Sequence, residues 1–174
     1  MHQFGELVWR SIGFVMAKLD ELEDETIKEL ETSGATIHIK NLQALNMQRV
    51  INAVGAFAIF EAHLQDQFFW QHKIETMYAF DEARKKLREK GQVELEDRFG
   101  ILIEAIHILK HGKGKSYEKL LKRQNLPFRI KQPGENFFDE GDVSEVQTLI
   151  FVDREFVSSC LQVINDVSTE LDLW

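Results

Sequence analysis

The chain has 174 residues, 44% of them hydrophobic and only two of them proline, enough to bury a core as one domain over 1–174 without crosslinks. Its single cysteine, Cys160, excludes an intramolecular disulfide, and a formal charge of -8 at pH 7 argues against nonspecific coating of nucleic acid by the molecule as a whole. The longest uncharged run of the core, Val50–Phe60, is eleven residues and too short for a bilayer, so no membrane partner is expected.

The opening residues 1–19 hold Glu6 and Arg10 and lack the basic start and small-residue cleavage site of a signal peptide. A cytoplasmic location is expected, and Cys160, set among Phe156, Val157, Leu161 and Ile164, reads as a small core residue rather than a nucleophile. From Gln3 to Leu30, Phe4, Val8, Ile12, Val15, Leu19, Leu22 and Ile27 recur every three or four residues, which predicts an amphipathic helix ending near Ser33-Gly34. Thr36–Lys40 alternates around Ile37 and Ile39 and reads as a short extended piece.

Leu42–Gln71 is the most hydrophobic segment, apolar around most of its circumference, and such a helix belongs in the middle of a bundle. Ala53, Gly55, Ala56, Ala58 and Ala62 on it predict close approach of neighbouring helices; a glycine there otherwise costs about 1 kcal/mol against alanine. Glu61, among Phe57, Ile59, Phe60 and Leu64, needs a partner if buried, and a histidine further along or Arg49 can supply it. The third helix is read from Ile74 to Lys90 and the fourth from Val93 to His111, with Gly91 between them.

Ser116 reads as the cap of a short helix through Lys122, stopped near Pro127. Residues 125–145 hold both prolines, Gly134 and Gly141, and have no regular pattern. Val146–Val152 suits a short strand or extended lead, and Asp153 caps a last helix whose Phe156, Val157, Cys160, Leu161, Ile164, Val167 and Leu171 share one face. The expected architecture is an all-α bundle of four to five long helices, with room for one minor two-stranded patch.

Between Phe99 and Leu109 every residue is apolar except Gly100, Glu104 and His107, and the chain then breaks into Lys110-His111-Gly112-Lys113-Gly114-Lys115-Ser116. At about 100° per residue, Glu104, His107 and His111 fall on one stripe of the fourth helix. Residues 110–131 hold eight of the 21 Lys and Arg against one acid, Glu118. That local excess permits a focused phosphate contact, with Lys110, Lys113, Lys115 and Ser116 as the candidates, although a solvated lysine-rich face has the same composition.

Gly114-Lys115-Ser116 has the ending of the nucleotide loop G-x-x-x-x-G-K-[ST], but Leu109 stands where its first glycine belongs and a helix, not a strand, leads into it. Glu104 and His107 have the E-x-x-H spacing of carboxylate di-iron bundles. Such sites need a second copy on another helix; Glu61 and His63 have the wrong spacing, so neither metal nor cofactor is expected.

Ile106-His107-Ile108-Leu109-Lys110-His111-Gly112 resembles a degenerate form of the HEPN superfamily motif: Arg, then Asn, Asp or His, then three residues, then His, near a helix end. The segment Arg49–Leu64 is similar to an early core helix of those domains. The resemblance implies an all-helical bundle and metal-independent RNA cleavage by the Arg and His, usually where two copies of the motif meet in a dimer. By position, His111 matches the family histidine and His107 the polar residue, while Ile106 replaces the arginine. The nearest upstream arginine, Arg98, lies about 180° round the helix from His107.

RNA cleavage needs a base near neutrality and a cation for the developing phosphorane charge. His107 and His111 suit the first role, a nearby lysine can serve the second, and Glu104 can orient a histidine by a hydrogen bond. With the arginine missing, the favoured expectation is a noncatalytic or weakly active HEPN-like module that binds nucleic acid, a nucleotide or a partner protein through the basic turn, as a homodimer. The alternative is a toxin-type ribonuclease with His111, His107 and Glu104 in catalytic roles.

Overall fold

Apolar spacing of three and four residues dominates this chain, and the computed structural model, which describes residues 3–73, 78–135 and 148–173, is an all-α bundle. Six helices lie among those residues: α1 Gln3–Ser33, α2 Thr36–His72, α3 Ala79–Glu89, α4 Val93–His111, α5 Lys115–Leu121 and α6 Arg154–Glu170. Helix α2 packs against α1, α3, α4 and α6, as its hydrophobic circumference predicts. One buried cluster draws side chains from all six helices. At its centre Phe57 and Phe60 of α2 meet Phe80 of α3 and Phe99 of α4, with ring centroids 5.5 to 6.4 Å apart.

Helix ends follow the local chemistry. Gly91 and Gly112 bracket α4 with φ of 76° and 73°, a left-handed backbone that glycine adopts without a Cβ penalty. Asp153 caps α6, its Oδ1 accepting the Phe156 N–H at 2.7 Å. Cys160 is fully buried on α6, and burial pushes its thiol well above the ordinary range, so it is an inert core residue.

Three local expectations change. Thr36–Lys40 is helical, not extended: Gly34 turns the chain at φ 62°, and α2 begins two residues later. Ile37 is exposed while Ile39 is half-buried and Leu42 buried, so burial there follows the helical frame set by the longer segment, not alternation. Helix α3 begins at Ala79, after Tyr78; the expected start at Ile74, with Met77, lies outside the described residues. The two-stranded patch shrinks to one antiparallel bridge between Ile130 and Ile150, closed by Lys131 N–H to Leu149 O and Phe151 N–H to Arg129 O, both 3.0 Å. Of the expected lead over Val146–Val152, the first two residues lie outside the described part.

The small residues of α2 divide. Ala53 and Ala56 are buried and allow the expected close packing, but Ala58 and Ala62 are exposed, and a Cβ on Gly55 would meet nothing within 4 Å. Arg49 pairs with α1 rather than with Glu61, lying 2.6 Å from Glu23 and 3.2 Å from Asp20. Among the described residues no helix is long and apolar enough to cross a membrane.

Candidate phosphate-binding site

Helix α4 is buried along Leu102, Ile103, Ala105, Ile106 and Ile108, which leaves Glu104, His107 and His111 on its uncovered side. His107 is half-buried and His111 exposed, one turn apart, with ring centroids 6.4 Å from each other. Gly112 then reverses the chain into α5. The result is a recess of about 230 Å³ lined by His107, His111, Lys113, Lys115 and Ser116, with the glycines 112 and 114 as its floor. Lys110 is exposed at the end of α4 but is not part of that lining.

Ser116 does not cap α5; Gly114 holds that position and Ser116 sits in the first turn. Its hydroxyl instead reaches the Glu104 carboxylate, which also accepts from Lys119 Nζ at 2.6 Å. The expected hydrogen bond from Glu104 to a histidine is therefore replaced by bonds to α5, and Glu104 lies outside the recess lining. Burial raises the Glu104 carboxyl, but the bonds from Lys119 and Ser116 and the charges of Lys119 and His107 outweigh it and hold the group below its ordinary value.

His107 goes the other way. Burial lowers its pKa, the charges of Lys110 and His111 lower it further, and Glu104 and Glu61 only partly oppose them. Glu61 makes no hydrogen bond or ion pair with either histidine among the described residues and acts on His107 only as a minor charge. The imidazole of His107 is held neutral around neutral pH.

The basic segment is partly neutralised. Arg123 makes a bidentate pair with Asp97 at 2.9 and 2.6 Å, Arg129 pairs with Glu135, and Lys119 with Glu104. Lys110, Lys113, Lys115 and Lys122 have no ion pair among the described residues. Ile106, at the position of the family arginine, is 3% exposed and packs into the core. Arg98 reaches Asp166 of α6 at 3.1 Å, away from the recess. Among the described residues, the recess lining therefore contains two imidazoles and two ammonium groups, with neither arginine nor carboxylate.

Sequence reasoning missed a neighbouring cleft between α3, α4 and α5, in which Arg84, Lys119, Lys122 and Arg123 come together. Its one sequence signal is Gly100, an interior helical glycine with no turn to make. Among the described residues no three His, Cys, Asp or Glu side chains converge as metal ligands would. No protein-family model, curated protein or solved structure matches the chain.

Proposed function

We propose that this chain is a cytoplasmic HEPN-like helical module that binds single-stranded RNA through backbone phosphates at the histidine recess, without cleaving it, and works as a homodimer. One observation carries the reading: two imidazoles, Lys113, Lys115 and the Ser116 hydroxyl line a single recess that holds no acid among the described residues. Glu104 is engaged by Lys119, Asp97 by Arg123 and Glu135 by Arg129, so these three acids do not pair with the lysines of the turn. The absence of arginine from the lining argues against efficient cleavage, because lysine lacks the bidentate fork that stabilises a phosphorane.

Support for a second copy comes from α2. Between Gln43 and Gln65 its exposed residues are all apolar: Ala44, Met47, Ile51, Ala58, Ile59 and Ala62. A charge-free stripe of that length on a helix surface is typical of an interface core. The ribonuclease reading has one observation in its favour, the neutral state of His107, which a general base needs.

The test is incubation of pure protein with labelled single-stranded RNA at low and moderate salt. Binding that weakens steeply with salt, is lost in the K113Q/K115Q double variant and leaves the RNA intact is the expected result. Cleavage that disappears in H107A/H111A replaces it with the ribonuclease reading. No binding, or binding indifferent to the two lysines, overturns it.

A further inference from the structure

Across the Glu104 carboxylate from the histidine recess lies the second cleft, about 350 Å³, with Arg84, Lys119, Lys122 and Arg123 in its lining against one carboxylate, Glu104. Arg84 is locked in place: its Nε and Nη2 lie 2.8 and 2.7 Å from a single oxygen of Glu96, which Arg88 also reaches at 2.6 Å. Its remaining nitrogen, Nη1, has no partner among the described residues, and the side chain stays 30% exposed. Arg123 is likewise fixed by Asp97, and Lys122 is exposed with no ion pair among the described residues.

Gly100 explains how Arg84 reaches its seat. A Cβ there would stand 2.9 Å from Nη2 and 3.1 Å from Cζ of Arg84, so an alanine, the better helix former, would displace the guanidinium. The helix thus forgoes alanine's propensity at the one position where the arginine lies against its backbone. A guanidinium fixed by a buried acid, with donors left over toward open space, is a preorganised seat for an anion. Counting the acids that hold them, four lining cations (Arg84, Lys119, Lys122, Arg123) face three carboxylates (Glu96, Asp97, Glu104) among the described residues, so the cleft retains positive charge.

The two depressions adjoin. Ser116 lines the recess, Lys119 one turn later lines the cleft, and Glu104 bonds both. Along α4, Gly100 and His107 are separated by about 10 Å of helix rise.

We propose that the Arg84 cleft is a second phosphate seat, taking an internal backbone phosphate of the RNA strand whose neighbouring segment occupies the histidine recess. This rests on the RNA reading of that recess.

The experiment is fluorescence anisotropy with a labelled oligoribonucleotide of about eight residues and with a dinucleotide. Arg84→Gln and Lys122→Gln should each weaken the longer RNA about tenfold and make the salt slope shallower by about 0.7 per lost contact, while the dinucleotide is unaffected. Gly100→Ala should mimic Arg84→Gln, and Arg84→Lys should restore little, since the charge returns without the fork. Lys122 is exposed and unpaired, so its variant folds even if the Arg84 variants do not. Unchanged binding of the longer RNA by the Lys122 and Arg84 variants, with K113Q/K115Q still defective, overturns the second seat and leaves the recess reading standing. Wild-type protein that binds neither RNA overturns both. If only a 5′-phosphorylated strand senses Arg84, the seat takes a terminal monoester and the internal assignment is overturned.

Discussion

Lys119 donates to Glu104 at 2.6 Å, tying the seven-residue helix α5 to the middle of α4. A helix that short is unstable alone, and besides this bond it is held by Tyr117 and Leu120, buried in the core, and by the Tyr117 hydroxyl, which donates to Lys131 O at 2.6 Å. The pair also divides the histidine recess from the arginine cleft, so its geometry sets both.

The pH behaviour of that tie is fixed by its sign. Glu104 is held below its ordinary value in the fold, so its stabilising share is fully present above the unfolded value of 4.5 and is lost as pH falls through the lower folded one. Glu104→Gln should cost about 0.5–1 kcal/mol at pH 7, the range of a partly exposed pair, and the gap to wild type should close as pH falls below 4.5 and through the folded value. Thermal denaturation of both proteins across that range measures it; a gap that persists in acid rules out the ionic contribution.

Arg49 should govern the docking of α1. It is 4% exposed and joins α2 to Asp20 and Glu23 of α1, while Asp20 also meets Arg154 of α6 at 3.0 Å. Because both acids keep some exposure, Arg49→Met should cost about 2 kcal/mol, below the ~3–5 kcal/mol of a fully buried pair broken on one side. Hydrogen exchange should quicken in α1 before it does in α4. Uniform loss of protection across the bundle would contradict this local role.

His107 predicts a different pH signature. Its folded value is depressed by burial, so the unfolded chain binds more protons below 6.5, and stability is present above that pH and lost as pH falls through the folded value. His107→Gln should flatten the fall of Tm on acidification below pH 6.5. RNA affinity should move oppositely, rising as pH falls below 6.5 through the folded value of His107, because phosphate favours the charged imidazole. Affinity indifferent to pH would separate the histidines from the ligand.

Legibility in the sequence tracked the range of the interaction. The limits of α4 were readable because Gly91 and Gly112 mark both ends, and the cap at Asp153 acts on a neighbour three residues away. Whether His107 and His111 meet Lys113 and Lys115 was not readable, since it depends on the direction the turn takes at Gly112; the structure lines one recess with all four. Thr36–Lys40 misled because alternating Ile37 and Ile39 fit either backbone, and the rest of α2 decided between them. The partner of Glu104 and the seat of Arg84 were hidden: Lys119 and Gly100 lie fifteen and sixteen residues away in sequence, and only packing of α3, α4 and α5 brings them together.

The outer face of α2 makes the last prediction. Ile51 is 54% exposed, Ile59 44% and Met47 41%, and no exposed charge interrupts them between Gln43 and Gln65. Glycine and alanine beside them let a second helix approach closely, and an antiparallel copy crossing at Gly55 would set Ile51 opposite Ile59 of its mate. A two-fold axis there uses one patch twice, as an isologous dimer requires. Sedimentation equilibrium should therefore show a dimer, with a Tm that rises with protein concentration. Ile51→Asp and Ile59→Asp should each weaken it by more than about tenfold, a central hot-spot loss of about 2 kcal/mol, while a monomeric variant keeps its helical signal because neither side chain belongs to the core. A wild-type protein that stays monomeric at every concentration would leave the stripe without this role, and RNA binding would then have to be explained by one copy alone.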